Sequence, residues 1–236
     1  MKCALLHGFA GDPAAWDAVI AYLPSAIEAR AIALPGHGGG PVRETWADNI
    51  AVVGESLVGC DAVAGYSFGA RVALGVLATG ANLRAVLIGC NPGIADRERP
   101  ARVATDAHWA ALLRTRGIAE FTDAWSTQPL FASQRQVAAE RLTARRVRRL
   151  ALDPMQLARC LDVMGTGAMP DYRAALPALA HRIAWLAGAG DATYAQLAQS
   201  LPGAHRALIA DCGHDPTLEQ PAALAAAIGV ALEALA

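Results

Sequence analysis

Lysine is almost missing from this chain. Lys2 is the only one in 236 residues, against nineteen arginines, so nearly all the positive charge sits on guanidinium groups. Charge is sparse overall: charged residues make up 17% and the formal net charge is −1. That balance offers no basic field for nucleic acid and no polybasic face for a membrane. No uninterrupted apolar run reaches the ~18 residues a membrane-spanning helix needs. The first strand-like run begins at Lys2 or Cys3, which leaves no room for a signal peptide. The five cysteines (Cys3, Cys60, Cys90, Cys160, Cys212) are odd in number and scattered. They suggest neither a disulfide framework nor a metal cluster, and a reduced, cytoplasmic protein is expected. No nucleotide-binding or metal motif stands out, so no cofactor is expected.

What is present begins with Gly65-Tyr66-Ser67-Phe68-Gly69. A short apolar run, Cys60 to Ala64, precedes it, and Ala70 to Leu77 reads as a helix. Strand, sharp turn and helix around G-x-S-x-G form a nucleophile elbow, which lifts a serine hydroxyl above a sheet. The glycines permit close packing of strand on helix. Without that context, Ser67 would be an ordinary turn serine.

A serine needs a base, and the base an orienting acid. In the α/β-hydrolase order, Asp or Glu and then His follow the serine. Two later strand-like runs end in suitable residues: 183–187 leads to Asp191, and 204–210 leads to His214. Both residues fall just past the C-terminal ends of their strands, the edge at which open parallel sheets bind ligands. Asp211 is a lesser alternative to Asp191, since it lies only three residues before His214. His7, His37, His108, His181 and His205 are read as solvated or structural. Leu5-Leu6-His7-Gly8-Phe9 ends the first strand in a His-Gly turn, so Phe9 and Phe68 are the candidate oxyanion amides.

Hydrophobic residues make up 54% of the chain, enough for one core or a core with a small insertion. Strands are expected at 2–6, 29–34, 60–65, 84–89, 182–187 and 204–210. With helices between them, they predict an α/β fold: a six-stranded parallel sheet flanked by helices, with an inserted helical cap. The core is expected over 1–92 and 176–236 and the cap over 93–175. Residues 93–149 hold eleven of the nineteen arginines against six acidic residues. Most would be solvated, but a few facing inward would select an anionic substrate, because guanidinium forks bind carboxylates bidentately. Arg71, one helical turn past Ser67, falls on the same helical side and fits that idea.

Four stretches together carry a more specific likeness: Leu6-His7-Gly8-Phe9, Gly65 to Arg71, Asn91-Pro92-Gly93, and Trp125-x-x-Gln128-Pro129-x-Phe131-Ala132-Ser133. Over nearly the whole length the chain resembles the menaquinone-pathway 2-succinyl-6-hydroxy-2,4-cyclohexadiene-1-carboxylate synthases of the α/β-hydrolase superfamily. The resemblance implies a lyase that eliminates pyruvate from a small polycarboxylate substrate without a cofactor. It implies Ser67, Asp191 and His214 as the triad, and Tyr66, Arg71, Arg102 and Trp125 as substrate-binding residues. Arg102, Asp106 and Trp109 match the family's Arg-x-x-x-Asp-x-x-Trp stretch. For a third arginine, Arg149 fits the spacing to Leu157-Ala158 and Arg146 fits the spacing from Ser133. A serine esterase or thioesterase is the alternative, for example an acyl-carrier methyl ester hydrolase. A non-catalytic receptor is a third reading, opposed by the intact Ser-Asp-His set. Nothing in the sequence sets the oligomeric state.

Overall fold

Each expected strand forms in the computed structural model, which describes residues 1–236. The strands are β1 (Lys2–Leu6), β2 (Glu28–Ile32), β3 (Ala62–Tyr66), β4 (Arg84–Ile88), β5 (Ile183–Gly188) and β6 (His205–Ile209). They make one sheet in the order β2-β1-β3-β4-β5-β6, with every neighbouring pair parallel. β3 and β5 are buried throughout, and β1 and β4 at every residue but the first. Burial on both faces is why these strands read as continuous apolar runs. β2 stops at Ile32, short of the expected Leu34, because the Leu34 N–H leaves the ladder and donates to His7 Nε2 at 3.2 Å.

The helices are α1 (Asp17–Ile20), α2 (Trp46–Ser56), α3 (Phe68–Ala78), α4 (Arg99–Ser126), α5 (Ala139–Leu150), α6 (Pro154–Met164), α7 (Leu176–Leu179), α8 (Ala192–Ser200), α9 (Pro216–Glu219) and α10 (Pro221–Ala234). Side chains alternate along each strand, so the sheet feeds two cores. Ala4, Leu6, Val63, Leu87 and Trp185 pack with α2, α3 and α8 in a cluster of 29 buried residues. Cys3, Leu5, Val86, Ile88 and Leu186 pack with α1 and α10 in a cluster of 19. No helix is long and apolar enough to cross a membrane.

Between β4 and β5 the chain makes α4, a 3-10 stretch at Pro129–Gln136, α5 and α6. α4 bends at Gly117, whose φ of 77° suits glycine. This layer has its own small apolar cluster of seven buried residues, in which Leu113 and Phe121 of α4 meet Leu157 and Leu161 of α6. Ala10 belongs to the same cluster, so the layer rests on the loop after β1.

Candidate active site

Ser67 sits between β3 and α3 at φ 51° and ψ −107°. A non-glycine residue there costs of order 1–3 kcal/mol and persists only where its surroundings enforce it. Its N–H donates to Ile88 O at 2.8 Å, and its carbonyl accepts from Arg71 N at 3.1 Å. A Cβ at Gly65 would lie 2.5 Å from Gly69 O, and one at Gly69 would collide with the Leu6 carbonyl. Both glycines are therefore needed for β3, α3 and β1 to meet beneath the serine.

His214 Nε2 lies 3.0 Å from Ser67 Oγ, and Nδ1 lies 2.7 Å from Asp191 Oδ2. With Nδ1–H donated to the carboxylate, Nε2 faces the serine hydroxyl as an acceptor. Asp191 uses its other oxygen to cap α8, accepting from Tyr194 N at 3.3 Å. The two oxygens have separate duties. The His214 and Asp191 side chains are 2% and 7% exposed. Tyr66 and Tyr194 flank the imidazole at 5.5 and 4.6 Å between ring centres. Gly89, at φ 56°, passes so near that a Cβ would stand 3.2 Å from His214 Cε1. Asp211 lies exposed at a positive φ and does not bond His214, so Asp191 is the partner.

The His-Gly turn is held by two buried histidines. His7 Nδ1–H donates to Gly8 O at 2.8 Å while Nε2 accepts from Leu34 N. His37 Nδ1–H donates to Pro35 O at 3.0 Å while Nε2 accepts from Ala10 N at 3.0 Å. Burial pushes His7 down to about 4 and His37 down to about 3, so both are neutral acceptors at pH 7. These two histidines are structural, as expected from the sequence; His108 and His181 are exposed. The Phe9 N–H lies between the clamped positions and bonds no protein group. Phe68, first residue of α3, has no carbonyl one turn back within its helix. Two such amides suit an oxyanion hole.

Ser67 opens on a cavity of ≈ 90 Å³ whose walls include Phe9, Tyr66, Trp125, Arg145, Arg149 and His214. Trp125 stacks on Phe121 at 5.2 Å and leans on Phe9 at 5.3 Å, giving an apolar wall. A larger cleft of ≈ 730 Å³ adjoins it and shares Phe131, Arg145 and Arg149.

The arginines divide. Arg149 is 6% exposed and lines the Ser67 cavity, donating through Nε to Ala10 O at 3.0 Å. No carboxylate pairs with it, and burial pulls it down to about 10, still cationic at pH 7. Arg146 lines only the adjoining cleft and is held by Asp123 at 2.9 Å, which decides the spacing ambiguity in favour of Arg149. Arg71 and Arg102 do not line the Ser67 cavity. Arg71 stands over the Phe68 ring at 5.3 Å with Nη1 on Met164 O at 3.0 Å and no carboxylate partner. Arg102 pairs with Asp106 at 2.8 Å. Burial raises Tyr194, and the Arg71 and Arg102 charges draw it back down. Arg71 has no carboxylate partner, whereas Arg102 is paired through Nη2 and keeps a buried Nε without a hydrogen-bond partner.

Sequence reasoning missed Arg145 and Arg148. Arg145 donates to Gln134 Oε1 at 2.7 Å and pairs with Asp215 at 3.4 Å; Arg148 pairs with Asp12 at 3.0 Å. Their spacing with Arg149 (i, i+3, i+4) is one helical face, which the sequence does contain.

Residues 4–227 match the model of the alpha/beta hydrolase family. The chain belongs to that family. It is 34% identical over 237 residues to a pimeloyl-[acyl-carrier protein] methyl ester esterase from Aromatoleum aromaticum, covering 92% of each chain. It is 32% identical over 239 residues to a 2-succinyl-6-hydroxy-2,4-cyclohexadiene-1-carboxylate synthase from Enterobacter sp., covering 94% of this chain and 88% of the relative. Among solved structures, MenH from S. aureus superposes with a TM-score of 0.90 at 28% identity, covering 100% of this chain and 94% of that one. The α/β-hydrolase enzyme assignment and the likeness to menaquinone-pathway enzymes are thus secure. Lyase and esterase relatives stand at nearly equal identity.

Proposed function

We propose that the protein is a lyase that eliminates pyruvate from 2-succinyl-5-enolpyruvyl-6-hydroxy-3-cyclohexene-1-carboxylate, with Ser67, His214 and Asp191 as the reacting centre. The observation that carries this reading is Arg149, a buried guanidinium without a counter-ion on the wall that Ser67 shares. A buried charge left unpaired is costly. A substrate carboxylate supplies its missing partner through charge-assisted hydrogen bonds. Arg71, a second guanidinium without a carboxylate partner, lies outside that cavity, with Nη1 on Met164 O. A polycarboxylate ring suits a free cation beside an apolar wall better than a neutral ester does.

The chemistry follows from the geometry. His214 Nε2, 3.0 Å from Ser67 Oγ, draws the hydroxyl proton, and the serine oxygen removes a ring proton. The C–H electron pair becomes a ring double bond as the C–O bond to the enolpyruvyl group breaks. The Phe9 and Phe68 amides stabilise the negative charge that builds on a conjugated oxygen. The imidazolium, steadied by Asp191, gives its proton to the departing enolate oxygen, and the resulting enol tautomerises to pyruvate. Tyr66 stands beside the serine, and Trp125 bounds the ring.

The second reading is an ester hydrolase, favoured by the 34% identical esterase. There Ser67 Oγ would attack a carbonyl carbon and pass through an acyl-enzyme. The test mixes enzyme with the proposed substrate, follows pyruvate and records the intact mass of the quenched protein. Stoichiometric pyruvate with unmodified protein is the expected result. No pyruvate, together with a Ser67 adduct from a simple ester, would install the hydrolase instead.

A further inference from the structure

Glu219 lines no part of the Ser67 cavity, yet its carboxylate spans the residue that matters most. Oε2 accepts from Gly213 N at 2.7 Å and Oε1 accepts from Asp215 N at 3.1 Å. These are the peptide N–H groups immediately before and after the His214 residue. The bond to Asp215 by itself would be a helix-capping device: Asp215 caps α9 by accepting from Leu218 N at 3.3 Å, and Glu219 reaches back to the cap residue. The bond to Gly213 has no place in that device, because it reaches past His214 to the other side. An ionised carboxylate is an acceptor with two oxygens, which is what two N–H donors facing the same way require.

The rest of the loop is fixed around this grip. Gly190 N–H donates to Cys212 O at 2.8 Å, tying the histidine loop to the loop that carries Asp191. A Cβ on Gly213 would meet the Ser133 side chain, with Ser133 Cβ at 2.7 Å, so the loop passes against the cap with no room for a side chain there.

We propose that Glu219 is a positioning residue: its bidentate hold on the Gly213 and Asp215 amides sets the height and orientation of His214 between Ser67 and Asp191. This rests on the reading of those three residues as the reacting centre. It does not depend on whether the reaction is an elimination or a hydrolysis.

The test uses Glu219→Gln, which removes the charge and turns an N–H2 group toward an amide that needs an acceptor. The first readout is the rate at which a fluorophosphonate labels Ser67. Oγ bonds phosphorus, fluoride leaves and the serine proton goes to His214. Turnover on the proposed substrate and the thermal melt are measured alongside. Misplacing a reacting group by about 1 Å costs on the order of 100-fold. Labelling and kcat should therefore fall by about 10- to 100-fold, with KM changed by less than about 3-fold. Glu219→Asp keeps the charge but is too short to reach both amides, and it should show the same split; it also serves if the Gln variant does not fold. His214→Ala is the control. If it labels as fast as the unaltered protein, the reacting centre itself is misassigned. If His214→Ala is slow while folded Glu219→Gln or Glu219→Asp labels at the normal rate, the positioning role is overturned. A rise in KM matching the fall in kcat would overturn it as well.

Discussion

Ser67, Asp191 and His214 are held by backbone past the C-terminal ends of parallel strands, whereas the helices above them lean on arginine. The core edge rests on clusters of 29 and 19 buried residues; the cap's separate cluster has seven, Ala10 among them, while Cys160, Met164 and Met169 join the larger one. In place of apolar area, α5 sends Arg145 to Asp215, Arg148 to Asp12 and Arg149 to Ala10 O. All three contacts land beside the reacting centre, on the histidine loop and the His-Gly turn. On the proposed function, the core supplies the chemistry and the cap selects by charge.

That contrast can be broken by substitution, and the largest effect belongs to the core. Ser67→Ala, His214→Ala and Asp191→Ala should each lose on the order of 10⁴-fold in turnover, since triad members act as a unit. Their melting temperatures should stay near that of the unaltered protein, measured by circular dichroism. A well-folded His214→Ala protein with normal turnover would end the assignment.

The cap comes next. Arg149→Ala should lose about 10- to 150-fold in kcat/KM on the polycarboxylate, the ~1.5–3 kcal/mol of a charge-assisted bond. Arg149→Met should match that loss without a fall in melting temperature, because it removes an uncompensated buried charge. Arg71→Ala and Arg102→Ala should each lose less than Arg149→Ala, since neither side chain lines the Ser67 cavity. A loss at either one equal to that at Arg149 would contradict the division drawn between them.

Protonation gives a smaller, graded effect confined to the core edge. His7 and His37 have folded-state values of about 4 and about 3, below the ~6.5 of a free imidazole. The unfolded chain binds more protons below pH ~6.5, so the stabilisation is full above that pH and declines toward pH 4 and 3. Melts from pH 7 to pH 4 should show a steady fall; a flat profile would mean the clamps do not depend on neutral rings. Smallest of all, Arg148→Ala should cost only about 0–1 kcal/mol, because its pair with Asp12 is partly exposed. A chemical-denaturation midpoint would detect anything larger.

Much of the core was legible in the sequence, and the cap much less so. Strand ends and G-x-S-x-G are local signals, and Ser67, Asp191 and His214 each follow a strand directly. The sheet order depends on crossovers that no local pattern encodes. In α5 the hydrophobic pattern misleads: Val147 is 63% exposed while Arg149 is buried. A reading by polarity turns that helix the wrong way round, so spacing alone could not separate Arg146 from Arg149. Arg71 follows Ser67 by one turn, yet its side chain runs behind Phe68 to Met164 O, a direction fixed only by α6 above it. Glu219 reads as a surface acid until Gly213 and Asp215 are seen on its two oxygens.

The most direct measurement is a ratio. Values of kcat/KM for the polycarboxylate and for a neutral ester of similar size are compared in the unaltered protein and in Arg149→Gln. A guanidinium that waits for a substrate carboxylate predicts a fall of about 10-fold or more on the polycarboxylate and almost none on the ester. Equal falls on both substrates would make Arg149 a structural prop for Ala10 and contradict selection by charge.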